Sequence, residues 1–219
     1  MRARLNNCGK RFRAESRRDE PPSQPRIPIR IGVISDTHGF FDPLLPKVLA
    51  GAEAILHAGD VGSAEVLAQL QTIAPVHAVR GNVDPAELEL PLSLDRRFAG
   101  TGIRMQHILH VSQRQVEAWA EQARISASEI RKRGEFLRIF EEGTRIVVFG
   151  HSHEPCLVTL GARMFLNPGS AGKKRFSLPR CYGILELAGK QVLGRIGSLE
   201  GYNRSPIKEK LLRWGESAP

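Results

Sequence analysis

Short apolar runs, each followed by polar residues, divide the first part of the chain into alternating strands and helices. Runs rich in β-branched residues predict three strands, at residues 30–35, 54–58 and 75–79. Between them, residues 43–51 predict a short helix, and Ser63 is a suitable N-cap for a second helix. The apolar face of this second helix is formed by Leu67, Leu70 and Ile73. Such alternation predicts a parallel sheet of the α/β class.

The rest of the chain adds a longer helical pattern and six further apolar runs. These runs predict strands at residues 103–107, 145–149, 156–160, 163–166, 182–187 and 191–196, and the last four are typical of an antiparallel meander. Residues 113–133 predict a helix that ends at Gly134, and residues 136–140 predict a second helical piece. Trp119 and Phe136 are expected in the core. Near the end of the chain, residues 207–214 predict a short helix.

The first 28 residues differ in composition from the rest of the chain. They hold eight Lys or Arg against three acidic residues, together with four prolines that break any helix. We therefore expect residues 1–28 to be a disordered basic tail, residues 29–197 to form one domain, and residues 198–219 to be a C-terminal extension. The tail has no apolar segment of the kind found in secretory signals.

Charge and cysteine content narrow the class of protein. Of the net charge of +9, +5 lies in the tail, so the remaining 191 residues carry only +4. With 6% aromatic residues, this distribution argues against nucleic acid as a partner. No stretch approaches the roughly 20 apolar residues that a membrane span needs. The three cysteines (Cys8, Cys156 and Cys181) are too few and too scattered for a disulfide framework or a zinc ribbon, so a cytoplasmic protein is expected.

Potential metal ligands follow directly after many of the predicted strands. They are Asp36 and His38, Asp60, Asn82 and Asp84, His107, and His151 and His153. Because open parallel α/β sheets bind ligands at the carboxyl ends of their strands, these side chains are candidates for one site. Carboxylate and imidazole donors suit zinc, manganese or iron. His57 and His77 lie inside predicted strands and are expected to be structural, while His110 competes with His107.

Taken in order, these residues form a set of short motifs along the chain. The motifs are Asp36-x-His38, Gly59-Asp60, Gly81-Asn82-x-Asp84, His107, Gly150-His151-x-His153 and Asn167-Pro-Gly-Ser170. Over residues 29–197 this set resembles the calcineurin-like metallophosphoesterases, in particular their small single-domain prokaryotic phosphodiesterases. The resemblance implies an α/β fold that is a four-layer αββα sandwich, in which helices flank two mixed β-sheets.

The resemblance also implies a site for two divalent metal ions. The first ion would be bound by Asp36, His38 and His153, the second by Asn82, His107 and His151, and both by Asp60. The ions would be manganese, nickel, zinc or iron, of which manganese is favoured. Asp60, Asn82 and His151 are the expected catalytic residues.

The implied activity is hydrolysis of a phosphate ester, most specifically of a small phosphodiester. A hydroxide that bridges the two metal ions would attack phosphorus in line, while the ions and Asn82 stabilise the charge on the phosphoryl oxygens. Small domains of this type often pair, so a homodimer is compatible with the resemblance.

Two positions depart from the family pattern. Val83 stands where many phosphatases of the superfamily have a histidine that protonates the leaving group. The middle ligand often occurs as His-Gly-His, whereas this chain has Gln106-His107-Ile108-Leu109-His110. We prefer His107 because it ends the predicted strand, and His110 stays the alternative.

Two functions other than hydrolysis of a small phosphodiester stay open. A eukaryotic retromer subunit resembles this fold but acts as a protein-interaction scaffold; such scaffolds tend to lose ligands, whereas all seven positions here carry suitable donors. A nuclease would account for the basic tail, although the sequence shows no additional domain of the kind that nucleases of this superfamily usually carry.

Overall fold

The computed structural model describes residues 28–122, 125–174, 177–200 and 206–214, and within these ranges eleven strands form two mixed sheets. The strands of the first sheet are β1 (Ile29–Ile34), β2 (Ala54–His57), β3 (Val76–Ala78), β9 (Cys181–Ala188), β10 (Gln191–Ser198) and β11 (Lys208–Arg213). Their spatial order is β11-β10-β9-β1-β2-β3. The first three strands pair in parallel, as the sequence predicts, and β9, β10 and β11 add antiparallel neighbours.

The second sheet has five strands in the order β4-β5-β6-β8-β7. They are β4 (Ser93–Phe98), β5 (Thr101–Gln106), β6 (Thr144–Val148), β7 (Cys156–Leu160) and β8 (Arg163–Asn167). β5, β6 and β8 run in parallel, and the outer strands β4 and β7 are antiparallel to their neighbours.

Among the described residues, four helices cover the outer faces of the sheets. They are α1 (Leu45–Val48), α2 (Ala64–Gln71), α3 (Gln113–Glu121) and α4 (Ala127–Arg138), and a short 3-10 turn lies at Ala86–Leu88. Leu45 and Leu70 pack with Ile55 of the first sheet, and Trp119 and Phe136 pack with residues of the second sheet. None of the described helices is long and apolar enough to cross a membrane.

The largest apolar core lies between the two sheets. Val33 and Leu185 of the first sheet belong to the same buried cluster as Met105, Ile146 and Met164 of the second. With one helix layer outside each sheet, the molecule has four layers in the order helix, sheet, sheet, helix. This arrangement confirms the predicted αββα sandwich.

The helices after β5 differ from the prediction. The chain leaves helical structure after Glu121, not at Gly134, and α4 runs through Gly134 without a break. The start of α4 is fixed by Ser126, whose hydroxyl accepts a hydrogen bond from the backbone N–H of Glu129. An N-cap of this kind outweighs the modest cost of one glycine inside a helix.

The strands differ from the prediction at three places. The last four predicted strands do not form one meander, because β7 and β8 form a hairpin in the second sheet whereas β9 and β10 form one in the first. Residues 207–214 are not helical; β11 pairs with β10 over six residues. β4 was not predicted, since its central residues are exposed and charged. The predicted tail lies outside the described residues, apart from Pro28.

The single buried side chain of β11 provides a test of how this strand packs. Leu212 is 7% exposed, whereas its neighbour Leu211 is 46% exposed. We expect Leu212→Ala to lower the free energy of unfolding by about 2–4 kcal/mol, because truncation of a buried leucine leaves a cavity. Leu211→Ala should change it by less than about 0.5 kcal/mol. Urea denaturation measures both values, and equal losses would contradict the assignment of this segment as a strand.

Candidate metal centre

Seven predicted ligands meet at one edge of the sandwich, in loops that follow strands of both sheets. Asp36 and His38 follow β1, Asp60 follows β2, Asn82 follows β3, His107 follows β5, and His151 and His153 follow β6. Backbone hydrogen bonds hold the loops together. The N–H of Asp36 donates to Gly59 O over 3.0 Å, that of His38 to Asp60 O over 2.9 Å, and that of Gly150 to His107 O over 3.0 Å.

The first ligand group consists of Asp36, His38 and His153. The Nε2 atoms of the two histidines are 3.2 Å apart, and His153 Nε2 is also 3.2 Å from Asp36 Oδ1. One donor atom from each residue lies within 4.8 Å of the other two. This spacing fits three ligands on one cation.

The second ligand group is formed around the side-chain oxygen of Asn82. Its Oδ1 lies 3.1 Å from His107 Nε2 and 2.9 Å from His151 Nδ1. The two imidazole rings meet edge to face, with centroids 5.3 Å apart. One amide oxygen and two imidazole nitrogens therefore converge on one point.

Asp60 lies between the two groups. Its Oδ2 is 3.3 Å from His107 Nε2 in the second group and 3.9 Å from His38 Nε2 in the first. Burial would raise the pKa of Asp60, but hydrogen bonds from His107 and from the backbone of Val83 lower it to about 2. The carboxylate is therefore ionised at neutral pH and is available to both groups.

Two observations indicate that these residues suit divalent cations. Asp36 is fully buried, and its Oδ1 has no hydrogen-bond partner among the described residues, as expected for an atom that binds a metal. His107 has Nδ1 2.8 Å from Ala58 O. A hydrogen bond from Nδ1 to this carbonyl would leave Nε2 free to bind an ion in place of the proton that it shares with Asp60 in the metal-free protein.

The loops that carry the ligands adopt an unusual backbone conformation. Five ligand residues have positive φ angles: Asp36 at 56°, His38 at 48°, Asp60 at 53°, His151 at 72° and His153 at 58°. This left-handed region is uncommon for residues other than glycine, and such conformations concentrate at functional sites. The backbone thus directs these side chains toward the centre at a cost in conformational energy. The sequence does not reveal this left-handed conformation.

Glycines allow the ligand loops to approach each other. A Cβ on Gly81 would lie 2.0 Å from Asp60 Oδ1, and a Cβ on Gly150 would lie 2.9 Å from Asp36 Oδ2. A Cβ on Gly59 would lie 2.7 Å from His107 Nδ1. Each of these glycines thus leaves the space that a ligand side chain occupies.

Three further residues of the motifs fix the loops without contributing to the ligand groups. The Asn167 side chain donates to Gly150 O over 2.9 Å, and the Ser170 hydroxyl donates to Asp36 O over 2.9 Å. Asp84 accepts hydrogen bonds of 2.8 Å from the backbone N–H groups of Gly62 and Gly81. All three residues belong to the sequence motifs, but the sequence does not indicate these contacts. The contacts depend on how the loops pack against one another.

The remaining histidines, His57, His77 and His110, lie outside the two ligand groups. His57 is fully buried in β2, and its Nε2 lies 2.8 Å from the hydroxyl of Thr37. His77 in β3 packs edge-on against Phe98. His110 is exposed and lines neighbouring cavities, whereas His107 contacts Asp60 and Asn82.

Buried His57 makes the stability of the fold depend on pH. Burial lowers its pKa to about 4 from an ordinary value of 6.5. The neutral ring therefore favours the folded state above pH 6.5, and this contribution is lost as the pH falls toward 4.

We expect the metal-free protein to lose about 2 kcal/mol more unfolding free energy between pH 7 and pH 4.5 than a His57→Gln variant does. Glutamine keeps a donor for Thr37 but does not titrate. Urea denaturation at the two pH values measures the difference, and identical pH profiles would show that His57 does not remain neutral in the folded protein.

The close approach of Gly81 to Asp60 predicts that Gly81→Ala weakens metal binding by about 10- to 100-fold, because the carboxylate must move. Titration calorimetry with Mn²⁺ measures this change. The control is Gly134→Ala in α4, where the added Cβ would meet no atom closer than 3.4 Å. That variant should bind the metal as the parent protein does; an unchanged affinity in Gly81→Ala would refute the role of this glycine.

Comparison with known proteins places the chain in a family. The calcineurin-like phosphoesterase superfamily domain matches residues 29–190. A "Probable metallophosphoesterase" of Methanothermobacter thermautotrophicus is 30% identical over 172 residues, covering 74% of this chain and 88% of that protein.

Solved structures share the fold at low sequence identity. Vacuolar Protein Sorting 29 from Cryptosporidium parvum matches with a TM-score of 0.64 and 18% identity, covering 86% of this chain and 100% of that one. Yfce, a phosphoesterase from E. coli, matches with a TM-score of 0.56 and 19% identity, covering 83% and 98%. From the domain match and the curated relative, we conclude that the chain belongs to the calcineurin-like phosphoesterase superfamily.

Proposed function

We propose that the protein is a phosphodiesterase that depends on two divalent metal ions. The observation that carries this proposal is the position of Asp60, whose Oδ2 lies 3.3 Å from His107 Nε2 and 3.9 Å from His38 Nε2. One ionised carboxylate thus connects two groups of ligands. A shared carboxylate is the arrangement that a two-metal hydrolase needs.

The proposed ligand sets follow the two groups. Asp36, His38 and His153 would hold one ion, Asn82, His107 and His151 the other, and Asp60 both. The donors are oxygen and nitrogen without thiolate, which suits manganese, nickel, zinc or iron, and we favour manganese. When bound, two such ions would withdraw charge from the phosphoryl oxygens and lower the pKa of water, so that hydroxide can attack phosphorus in line.

The side chains have separate tasks in this proposal. Asp60 stays unprotonated at neutral pH because its pKa is about 2. Asn82 directs its Oδ1 toward His107 and His151, so its amide N–H groups remain to donate to a phosphoryl oxygen. His151 is exposed beside Asn82, where its ring can contact a bound substrate.

Apolar residues beside the centre support a diester rather than a monoester. Val83 is 56% exposed, Leu92 74% and Ile108 49%. A phosphodiester carries a second organic group that such side chains can contact, whereas a monoester does not. Val83 also cannot donate a proton, so the substrate's leaving group must depart without help from this position.

The same exposed apolar side chains would also suit a protein partner, which makes a scaffold the second candidate function. The complete set of seven ligands supports the enzyme, because a scaffold needs no shared carboxylate between two metal sites.

Two buried cysteines support the proposed cytoplasmic location. Cys156 and Cys181 are both free thiols in the described part of the chain. Thiols persist most readily in a reducing compartment.

Hydrolysis assays with metal-stripped protein test the proposed activity. The substrates are bis-p-nitrophenyl phosphate and p-nitrophenyl phosphate, with manganese, nickel or zinc added back. We expect the metal to restore turnover, and the diester to react faster than the monoester. Tight metal binding without turnover of either compound would favour the scaffold.

Replacement of the shared carboxylate gives a sharper prediction. Asp60→Ala should reduce hydrolysis by at least about 100-fold and should lower the number of bound ions, because both ions lose a ligand. Glu53→Ala removes an exposed carboxylate at the opposite end of β2 and should change neither quantity. Metal analysis and the diester assay measure both effects. Two bound ions and full turnover in Asp60→Ala would refute the proposed site.

A further inference from the structure

A cavity of about 430 Å³ opens directly beside the metal centre. Asn82 and His107 form part of its wall, and Arg80, Leu92 and Arg104 form other parts. Because two proposed ligands line the cavity, a group bound in it would lie next to the phosphoryl group under attack. We therefore expect one of the two organic groups of a diester to bind in this cavity.

Arg80 differs in its contacts from Arg104 and Gln106, two other polar residues of this wall. Arg104 forms an ion pair with Asp95, and the side-chain amide of Gln106 donates to Ile108 O over 2.9 Å. Arg80 is half-buried, and its guanidinium has no acceptor among the described residues. A half-buried cation without an acceptor favours an anion from solution or from a ligand.

The backbone holds Arg80 close to the reacting group. Its N–H donates to Pro91 O over 2.8 Å, which ties the end of β3 to the segment before β4. Asn82 follows two residues later, so the two Cα atoms are no more than about 7 Å apart. One ligand of ordinary size can therefore contact both side chains.

Other residues of the cavity indicate what kind of anion would bind. Ser93 and His110 line the same space and add a hydroxyl and an imidazole to the guanidinium. These three groups could each donate a hydrogen bond, and a terminal phosphate has three oxygens to accept them where a carboxylate has two. Leu92 and Ile108 provide apolar surface for the organic part of the ligand.

We propose that the substrate is a phosphodiester whose organic group carries a second, terminal phosphate, and that Arg80 binds this phosphate. The inference rests on the proposed function, which it deepens by naming the substrate class. Arg80 acts as a specificity-determining residue: it binds an unreacting part of the substrate and positions the diester at the metal centre.

A matched pair of substrates tests the proposal. The p-nitrophenyl ester of thymidine 5′-phosphate contains one diester, and its 3′-phosphorylated form adds the terminal phosphate. We expect kcat/KM to be at least about 10-fold higher for the phosphorylated form, as charge-assisted hydrogen bonds imply. The Arg80→Met variant should lose this ratio, whereas Arg138→Met, which removes an exposed charge from α4, should keep it. A ratio near one in the parent protein, or a ratio retained in Arg80→Met, would overturn the proposal.

A binding measurement separates this proposal from the proposed activity. Calorimetry on the manganese-loaded protein compares thymidine 3′,5′-bisphosphate with thymidine 5′-phosphate. We expect about 10-fold tighter binding of the bisphosphate, lost in Arg80→Met.

If neither diester reacts but this preference depends on Arg80, the activity is wrong and the phosphate site stands. If both diesters react equally and both nucleotides bind equally, the phosphate site is wrong and the activity stands. Absence of turnover together with equal binding would overturn both.

Discussion

Two buried carboxylates, Asp36 and Asp60, constrain the edge of the sandwich where the loops meet. A buried carboxylate is costly unless cations or hydrogen-bond donors surround it. Here imidazole nitrogens of His107 and His153 lie 3.2–3.3 Å from these carboxylates. Loops from both sheets must therefore lie within hydrogen-bonding distance of each other. The glycines and the left-handed residues of the centre follow from this requirement.

The fold meets this constraint by bringing the carboxyl ends of parallel strands from two sheets to one edge. The end of β8 and the loop after it then join the sheets, because Asn167 binds the backbone after β6 and Ser170 binds the backbone after β1. Asp84 connects the loops after β2 and β3 in the same way. Such contacts fix the orientation of the ligands, which is the usual task of residues that surround a metal site.

Much of the centre could be predicted because its residues are short motifs placed after apolar runs. Donor type and position in the chain are local properties, so the sequence shows them directly. The left-handed conformations of Asp36 and His151 are not local in this sense, since the surrounding loops impose them. The contacts of Asn167 and Asp84 likewise depend on segments that are distant in the sequence.

The differences between the predicted and the observed elements of the fold also have specific causes. The segment around Leu211 and Leu212 is short and rich in Lys and Glu, so its pattern is compatible with either a helix or a strand. Pairing with β10 makes it a strand. For α4 a usable signal was present, because Ser126 and Glu129 have the spacing of a capping box. The stabilisation from this cap exceeds the cost of Gly134 inside the helix.

Anomalous diffraction from manganese-loaded crystals would show whether one carboxylate is shared by two metal ions. We expect two manganese peaks about 3.5–4 Å apart, with Asp60 bound to both. A single peak, or two peaks that do not share Asp60, would contradict this expectation.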